Sequence, residues 1–295
     1  MLNKLISPML LQPAQPEDIQ ANWPASLKWD GFRILIHYDR GKVRAFTRHG
    51  TEVTERFPEL ENIVLPVKSA ILDGECIAFD VSQPQDRPLK LWWDDAMTRF
   101  NAKKKTTVIQ LSKTLKAHFP LWDVLYLDGS PMLRNTFTER RNALQTILGA
   151  SETISITPLY DNGEELFKNA AALGMEGICQ YNPSGLYHLD CRPKNTIHKI
   201  KAYQYAICQI GSIRNDTFGW GLYQNGKYVG VTEFPPSKEI LRQFHVVKEK
   251  LIRGEGKGWT YLEPLLSCKV KFQCHTKDGK LRSPKIEEII INQIA

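Results

Sequence analysis

The sequence predicts an α+β protein of two domains, with antiparallel sheets and flanking helices over residues 1–202 and a small Greek-key β-barrel of the OB type over residues 203–295. Three observations lead there. A length of 295 residues exceeds what one hydrophobic core usually organises. Up to Lys201, strand-like segments of period two are interleaved with helical segments of period three to four. After Tyr203 the chain changes to short alternating strands joined by glycine-rich turns, with a single helix among them.

Taken in order, Ala25–Leu27 and Ile34–Tyr38 read as strands on either side of Lys28-Trp29-Asp30-Gly31-Phe32-Arg33. A turn at Asp39-Arg40-Gly41 leads into the alternating strand Val43–Arg48, and His49-Gly50 marks another turn. Phe57, Leu60 and Ile63 recur every three residues, which predicts a short helix over Thr54–Ile63 with Pro58 in its first turn. Ala70–Phe79 is a strand that carries Asp73-Gly74-Glu75 inside it. An unpaired buried carboxylate there costs several kcal/mol, so Glu75 calls for a functional partner such as a metal or a ribose. Ser82–Arg87 reads as a polar loop, Leu91–Met97 as a helix and Lys103-Lys104-Lys105 as an exposed basic turn. Pro120–Leu127 is a strand ending at the turn pair Asp128-Gly129. Helices follow over Glu139–Leu148 and Glu164–Leu173, stopped by Gly149 and Gly174. A second acidic-glycine strand starts at Glu176-Gly177. In Asn195–Lys201 the period of two puts Lys199 and Lys201 on one face. In the C-terminal part, strands fall at Ala206–Ile213, Gly221–Tyr223, Tyr228–Val231 and Leu265–Gln273, and Asn225-Gly226 signals a hairpin. Ser237 caps a helix that gathers Ile240, Leu241, Phe244, Val247 and Leu251 on one face, with Gly254 as its stop.

Composition narrows the function. The hydrophobic content of 42% suits ordinary soluble cores. No run approaches a membrane span of about 18 apolar residues, and the N-terminus lacks the features of a signal peptide. An intracellular, cytoplasmic chain follows, nucleoid-associated if bacterial. Six scattered cysteines read as free thiols, and His188, Cys191, Cys274 and His275 do not complete a four-ligand zinc pattern. The net charge is +7, and residues from Tyr203 onward hold 14 basic and 9 acidic side chains. A basic C-terminal part fits a polyanionic partner.

The unusual positions form an ordered set. They are Lys28 and Arg33; Thr47-Arg48-His49-Gly50; Asp73-Gly74-Glu75; Trp122-Asp123; Glu176-Gly177; and Lys199 with Lys201. That is one candidate nucleophile, four further cations, two carboxylates and an aromatic platform, each at a strand end or turn. Nucleotidyl transfer from a triphosphate needs such a set: an amine to attack the α-phosphate, cations and a metal to neutralise charge, and a ring to stack the base. A lysine nucleophile must lose its proton, so burial and neighbouring cations are expected to pull its pKa down. Gly31 frees the backbone to turn or approach a ligand, and Arg33 offers a planar fork to phosphate oxygens. A phosphate-loop ATPase is excluded, because Gly254-Glu-Gly-Lys-Gly-Trp259 has neither the required spacing nor the Ser/Thr.

With these residues in order, the chain resembles the ATP-dependent DNA ligases of the covalent nucleotidyltransferase superfamily, in a minimal two-domain bacterial or phage form. KWDGFR, TRHG, LDGE, LWDVLYLDG, EGI and HKIK match the family's successive motifs. Leu262–Phe272, Asp278–Pro284 and Ser7–Leu10 resemble the ligase modules of end-joining enzymes. The resemblance implies a nucleotidyltransferase (ATP-grasp-like) domain followed by an OB fold hinged near Ala202, with ATP as co-substrate, Mg²⁺ or Mn²⁺ as metal, nicked duplex DNA as partner, and a monomer. It implies that Lys28 takes the adenylate and that Ser26 and Leu27 border the AMP. Arg33 and Arg48 would contact the ribose side of AMP and the 5′-phosphate of the nick. Glu75 would hold the ribose and approach the metal, Trp122 would stack on adenine, and Glu176 would bind the metal or its waters. Lys199 and Lys201 would hold the triphosphate, and Arg282 would orient the pyrophosphate.

Three positions depart from the family pattern. Ser26 stands where relatives place a glutamate that reads the adenine amino group. Tyr181 stands where they carry a basic residue, and Glu287-Glu288-Ile289-Ile290 lacks the usual end of the sixth motif. Two alternatives therefore stay open: an RNA ligase or capping-type nucleotidyltransferase, and a non-catalytic nick-binding relic. A NAD-dependent ligase is disfavoured by the absence of zinc-finger cysteines.

Overall fold

A computed structural model describes residues 1–84 and 91–290. The chain divides into two compact units, Met1–Lys201 and Ala202–Ala295.

In the first unit the elements are, in order, β1 (Gln12–Ala14), β2 (Ala25–Leu27), β3 (Phe32–Asp39), β4 (Lys42–Thr47), β5 (Ser69–Asp80), α1 (Trp93–Asn101), α2 (Lys105–Thr114), β6 (Leu115–Leu127), β7 (Ser130–Pro131), α3 (Phe137–Ile147), β8 (Ile154–Ile156), α4 (Gly163–Ala172), β9 (Gly177–Tyr181) and β10 (Ile197–Lys201). One sheet runs β4-β3-β5-β6-β7, with β8 parallel to β6. Its β3–β4 hairpin closes on Arg40 and Gly41, both at positive φ, the two-residue turn whose twist matches that of strands. The second sheet has the order β1-β10-β9-β2.

Alternation on the first sheet feeds two cores. Ile34, Ile36, Leu72 and Val124 face one, with Phe57, Leu60 and Ile63 packed over them. Leu35, Ile71, Trp122 and Leu125 face the other, where they meet Cys179, Tyr181 and Ile197 of the second sheet and Phe137 of α3. That second core lies between the two sheets and supports the site.

Several local expectations are revised. Thr54–Ile63 is not one helix but two 3₁₀ segments, Thr54–Arg56 and Pro58–Asn62. Proline lacks the N–H to continue a helix, and apolar residues spaced by three match a helix of three residues per turn. The basic triplet is exposed, as expected, but leads into α2, which its β-branched composition concealed. Of the loop expected over Ser82–Arg87, residues 85–87 lie outside the described residues. Helix α4 ends as expected: Gly174 adopts positive φ, and the Met175 N–H donates to the Ala170 carbonyl at 2.9 Å.

The second unit contains β11 (Gln204–Arg214), β12 (Trp220–Gln224), β13 (Lys227–Thr232), α5 (Lys238–Leu251), β14 (Ile252–Gly256), β15 (Trp259–Leu262), β16 (Ser267–Phe272) and β17 (Lys285–Ile290). They form one curled seven-stranded sheet in which β11 pairs with β12, β15 and β16. Asn225-Gly226 makes the expected hairpin turn, and the Ser237 hydroxyl accepts from the Ile240 N–H. Helix α5 lays Ile240 and Phe244 into the core. Gly254 does not stop that helix. Leu251 passes directly into β14, and Gly254 lies inside the strand. Strand β14 carries one apolar side chain, Ile252, and does not announce itself in the sequence. Among the described residues no helix is long and apolar enough to cross a membrane.

Candidate active site

Lys28 follows β2 directly, and its N–H donates to the Gly177 carbonyl of β9 at 2.9 Å. The chain then turns through Gly31 into β3. A Cβ on Gly31 would lie 2.0 Å from the Cys76 carbonyl oxygen. The close approach that requires glycine is thus to β5 rather than to a ligand. Gly74 plays the same part between β5 and β6, where a Cβ would meet the Pro120 carbonyl at 2.5 Å. These two contacts bring the residues after β2 against the middle of the larger sheet.

The result is a pocket of about 530 Å³ lined by Lys28, Arg33, Arg48, Glu75, Trp122 and Lys199 among others. An annex of about 40 Å³ continues between Leu27, Trp122, Cys179 and Tyr181. Cross-strand register builds the floor: Ser26 opposes Cys179, Cys179 opposes Lys199, and Gly177 opposes Lys201. Side chains alternate along strands, so these residues share one face.

At its centre the Lys28 Nζ donates to Glu176 Oε2 at 2.6 Å, and the Lys201 Nζ lies 3.2 Å from Glu176 Oε1. Burial lowers the Lys28 pKa, but Glu176 and then Glu75 outweigh it and hold the amine above its ordinary range. The expected depression is therefore corrected, because carboxylates rather than cations stand nearest the amine. Glu75 takes no hydrogen bond from any described side chain, and burial pushes its pKa up to about 8. Lys199 has no ion-pair partner among the described residues. Burial lowers its pKa first, and the neighbouring Lys201, Lys28 and Arg192 lower it further.

Arg33 also differs from expectation. Its Nε and Nη2 donate to the two oxygens of buried Asp73 at 2.8 and 2.6 Å, Nη2 also reaches the Tyr187 hydroxyl, and Nη1 donates to the Met9 carbonyl. The fork expected to face phosphate is committed to protein, because Asp73 is fully buried and requires a partner. Arg48 remains exposed at the pocket rim. Trp122 lines both pocket and annex, with the Arg33 guanidinium carbon 5.6 Å from its ring centre.

Ser26 and Tyr181, read separately as departures, meet: their hydroxyl oxygens are 3.0 Å apart in a buried pair. Tyr181 also stacks on Phe137 at 4.6 Å. Two positions where the resemblance implied charged groups thus hold two hydroxyls that meet each other. Arg282 belongs to the second unit, where its N–H donates to the Cys274 carbonyl.

Sequence reasoning missed the apolar wall supplied by Trp93, Met97 and Phe100 of α1. Their spacing of four and three was the available signal. It also missed Tyr187, which donates to Asp73 at 2.8 Å and supports Arg33 from 154 residues away in the chain. No local pattern could reveal that. Among the described residues no cluster of three or more His, Cys, Asp or Glu could hold a metal alone.

Residues 8–201 match the family model described as ATP dependent DNA ligase domain. The chain is 30% identical over 284 residues to the SPbeta prophage-derived DNA ligase-like protein LigB of Bacillus subtilis, covering 96% of this chain and 98% of that protein. It is 25% identical over 309 residues to the multifunctional non-homologous end joining DNA repair protein LigD of Mycobacterium tuberculosis, covering 94% of this chain but only 37% of that longer protein. Among solved structures, a Lig E DNA ligase described as binding DNA with a minimal scaffold shares the fold, with a TM-score of 0.66, 16% identity, and coverage of 97% of this chain and 100% of that one. A pocket headed by an ion-paired lysine, on a scaffold matched along nearly its whole length, leads to one assignment: the chain belongs to the ATP-dependent DNA ligase family.

Proposed function

We propose that this ligase seals 5′-phosphate/3′-hydroxyl nicks in duplex DNA through a Lys28–AMP intermediate. The observation that carries the reading is Lys28 at the head of a pocket, its amine hydrogen-bonded to Glu176, with Lys199, Lys201 and Arg48 nearby. The Lys28 nitrogen attacks the α-phosphorus of ATP; an N–P bond forms, and the P–O bond to pyrophosphate breaks. Glu176 Oε2 already accepts a hydrogen bond from the Lys28 ammonium and is placed to take its proton. A 5′-phosphate oxygen of the nick then attacks the same phosphorus and releases the lysine. Finally the 3′-hydroxyl attacks the 5′-phosphorus and expels AMP.

Within this scheme Trp122 stacks on the adenine, and Ser26 and Leu27 border the base. Glu75 meets the ribose, and Lys199 and Lys201 neutralise the triphosphate. Arg48 takes the phosphate contact that Arg33 cannot make while it holds Asp73, and the role proposed for Arg282 is to orient the pyrophosphate. The donor set of Glu75 and Glu176 fits Mg²⁺ or Mn²⁺, since Mg²⁺ binds through one or two carboxylates and completes its shell with phosphate oxygens and water. Bound there, the metal supplies charge neutralisation at the phosphates. The reading extends to a monomer acting in the cytoplasm in DNA repair, replication or recombination.

The test is incubation with α-labelled ATP and Mg²⁺, followed by a denaturing gel. Label on the native chain, absent from Lys28→Ala and chased off by nicked DNA, is the expected result. Label retained by Lys28→Ala would sink the assignment of the nucleophile.

A further inference from the structure

Three cations that line the active-site pocket have no ion-pair partner among the described residues: Arg48, Lys199 and Arg192. Lys28 and Arg33, which also line it, are held by Glu176 and Asp73. Glu75 is the only carboxylate in the lining among the described residues. Arg48 and Lys199 have phosphates to meet in the ligation scheme. Arg192 has no part in it.

The loop that carries Arg192 is tied down on both sides of it. The Tyr187 hydroxyl accepts from the Met9 N–H at 3.1 Å, the Asp190 N–H donates to the Ser7 carbonyl at 3.0 Å, and the Cys191 carbonyl accepts from the Leu10 N–H at 2.8 Å. Beyond Arg192, Pro193 fixes its own φ, and the Asn195 N–H donates to Gln12 Oε1 at 3.0 Å. Asp190 and Asn195 both adopt positive φ, 53° and 56°, and bend the loop before and after the arginine. The backbone is therefore held while the Arg192 side chain stays exposed, so little freedom is left to lose when it meets a ligand. The chain then enters β10, which carries Lys199 and Lys201. Burial lowers the Lys199 pKa most, and Lys201, Lys28 and Arg192 follow as repelling neighbours. Glu176 opposes them but is already shared between Lys28 and Lys201. Like charges gathered with so little compensation make a site for a polyanion.

We propose that Arg192 is a further catalytic residue of the first step, on the reading of Lys28 as nucleophile: with Lys199 it grips the β- and γ-phosphates of ATP and the pyrophosphate they become. A guanidinium presents two parallel N–H groups to two phosphate oxygens, whereas Lys199 acts as a point charge. As the Lys28 nitrogen bonds to the α-phosphorus, the P–O bond to the β-phosphate breaks and its electron pair leaves with the pyrophosphate. Donors already aimed at that developing charge stabilise the transition state more than the bound substrate. The first unit then holds a leaving-group arginine of its own, in addition to Arg282 of the second. The 5′-phosphate of the nick is the other anion Arg192 could meet, and the experiment separates the two.

The experiment follows each half of the reaction in the full chain with Mg²⁺. Arg192→Ala should slow single-turnover labelling by α-labelled ATP about 10- to 150-fold, the loss expected for hydrogen bonds from one charged group. Release of label from preformed enzyme–AMP by inorganic pyrophosphate should slow by the same factor, because the forward and reverse steps share one transition state. Transfer of label from that adenylate to nicked DNA should proceed as in the native chain. Arg192→Lys keeps the charge without the fork and should recover part of both rates. The side chain is exposed, so the melting temperature of both variants should match the native one. Native labelling with a native response to pyrophosphate in Arg192→Ala would overturn the proposal. A loss confined to nicked DNA would overturn it too and give Arg192 to the 5′-phosphate. If the native chain takes no label, the reading of Lys28 fails by itself. Calorimetric titration of inorganic pyrophosphate into the native and Arg192→Ala chains then tests the grip directly, and equal affinities, or no binding by either, would overturn it.

Discussion

As the proposed nucleophile, Lys28 has a proton to lose. Burial alone would favour the neutral amine, but Glu176 at 2.6 Å and Glu75 favour the ammonium more strongly. Its pKa lies above the ordinary value, so the neutral fraction is small at neutral pH and grows about tenfold with each pH unit. The single-turnover rate of enzyme–AMP formation should therefore climb between pH 7 and 9, by less than about tenfold per unit because Glu75 ionises near pH 8 and then holds the ammonium more firmly. A flat profile, measured with α-labelled ATP, would mean that the loaded site strips the proton before the chemical step. Arg33 poses the opposite question, that of a residue whose motif suggests substrate contact and whose geometry suggests support. Removing it leaves Asp73 charged and fully buried, a loss of about 3–5 kcal/mol. Arg33→Ala should shift the urea midpoint accordingly. An unchanged midpoint with lost sealing would return Arg33 to the phosphate.

At the scale of elements, the site depends on how closely backbones cross. Gly31 and Gly74 lie where three strands converge, and neither has a positive φ, so space rather than conformation selects glycine there. Gly31→Ala places a methyl against the Cys76 carbonyl, a backbone atom that cannot swing aside. Overpacking of this kind costs roughly 1–3 kcal/mol or more. The variant should show a lower melting temperature together with slower labelling of Lys28, because the displaced turn carries the proposed nucleophile. Normal melting and labelling would show that β5 moves freely. Contrast Gly41 and Gly226, which serve turns at positive φ with nothing near a Cβ. Sequence alone marked Gly41 and Gly226 as turns and gave Gly31 a turn or a ligand approach; the strand contact that selects glycine at Gly31 and Gly74 was not legible there.

Across the whole molecule, a net charge of +7 and a basic C-terminal part set the response to salt. Binding to nicked duplex should weaken linearly in log–log form, with a slope of about −0.9 per phosphate contact, or about −5 for six contacts. Anisotropy across a salt series measures it. A slope near zero would point to a partner other than a polyanion.

The sequence by itself determined the kind of chemistry and the order of its parts. Lys28, Glu75, Trp122, Glu176, Lys199 and Lys201 stand in motifs whose residue types and spacing are local properties, and local patterns survive in a linear string. Long strands, the Asn225-Gly226 turn and helix α5 were legible for the same reason, since period and turn chemistry act over a few residues. Only the tertiary structure decided who holds whom. The Asp73–Tyr187 support of Arg33, the Ser26–Tyr181 pair and the ion pairs on Glu176 join residues 25 to 155 positions apart. Their energies depend on distance and desolvation, and both come into being only when the two sheets close on their shared core.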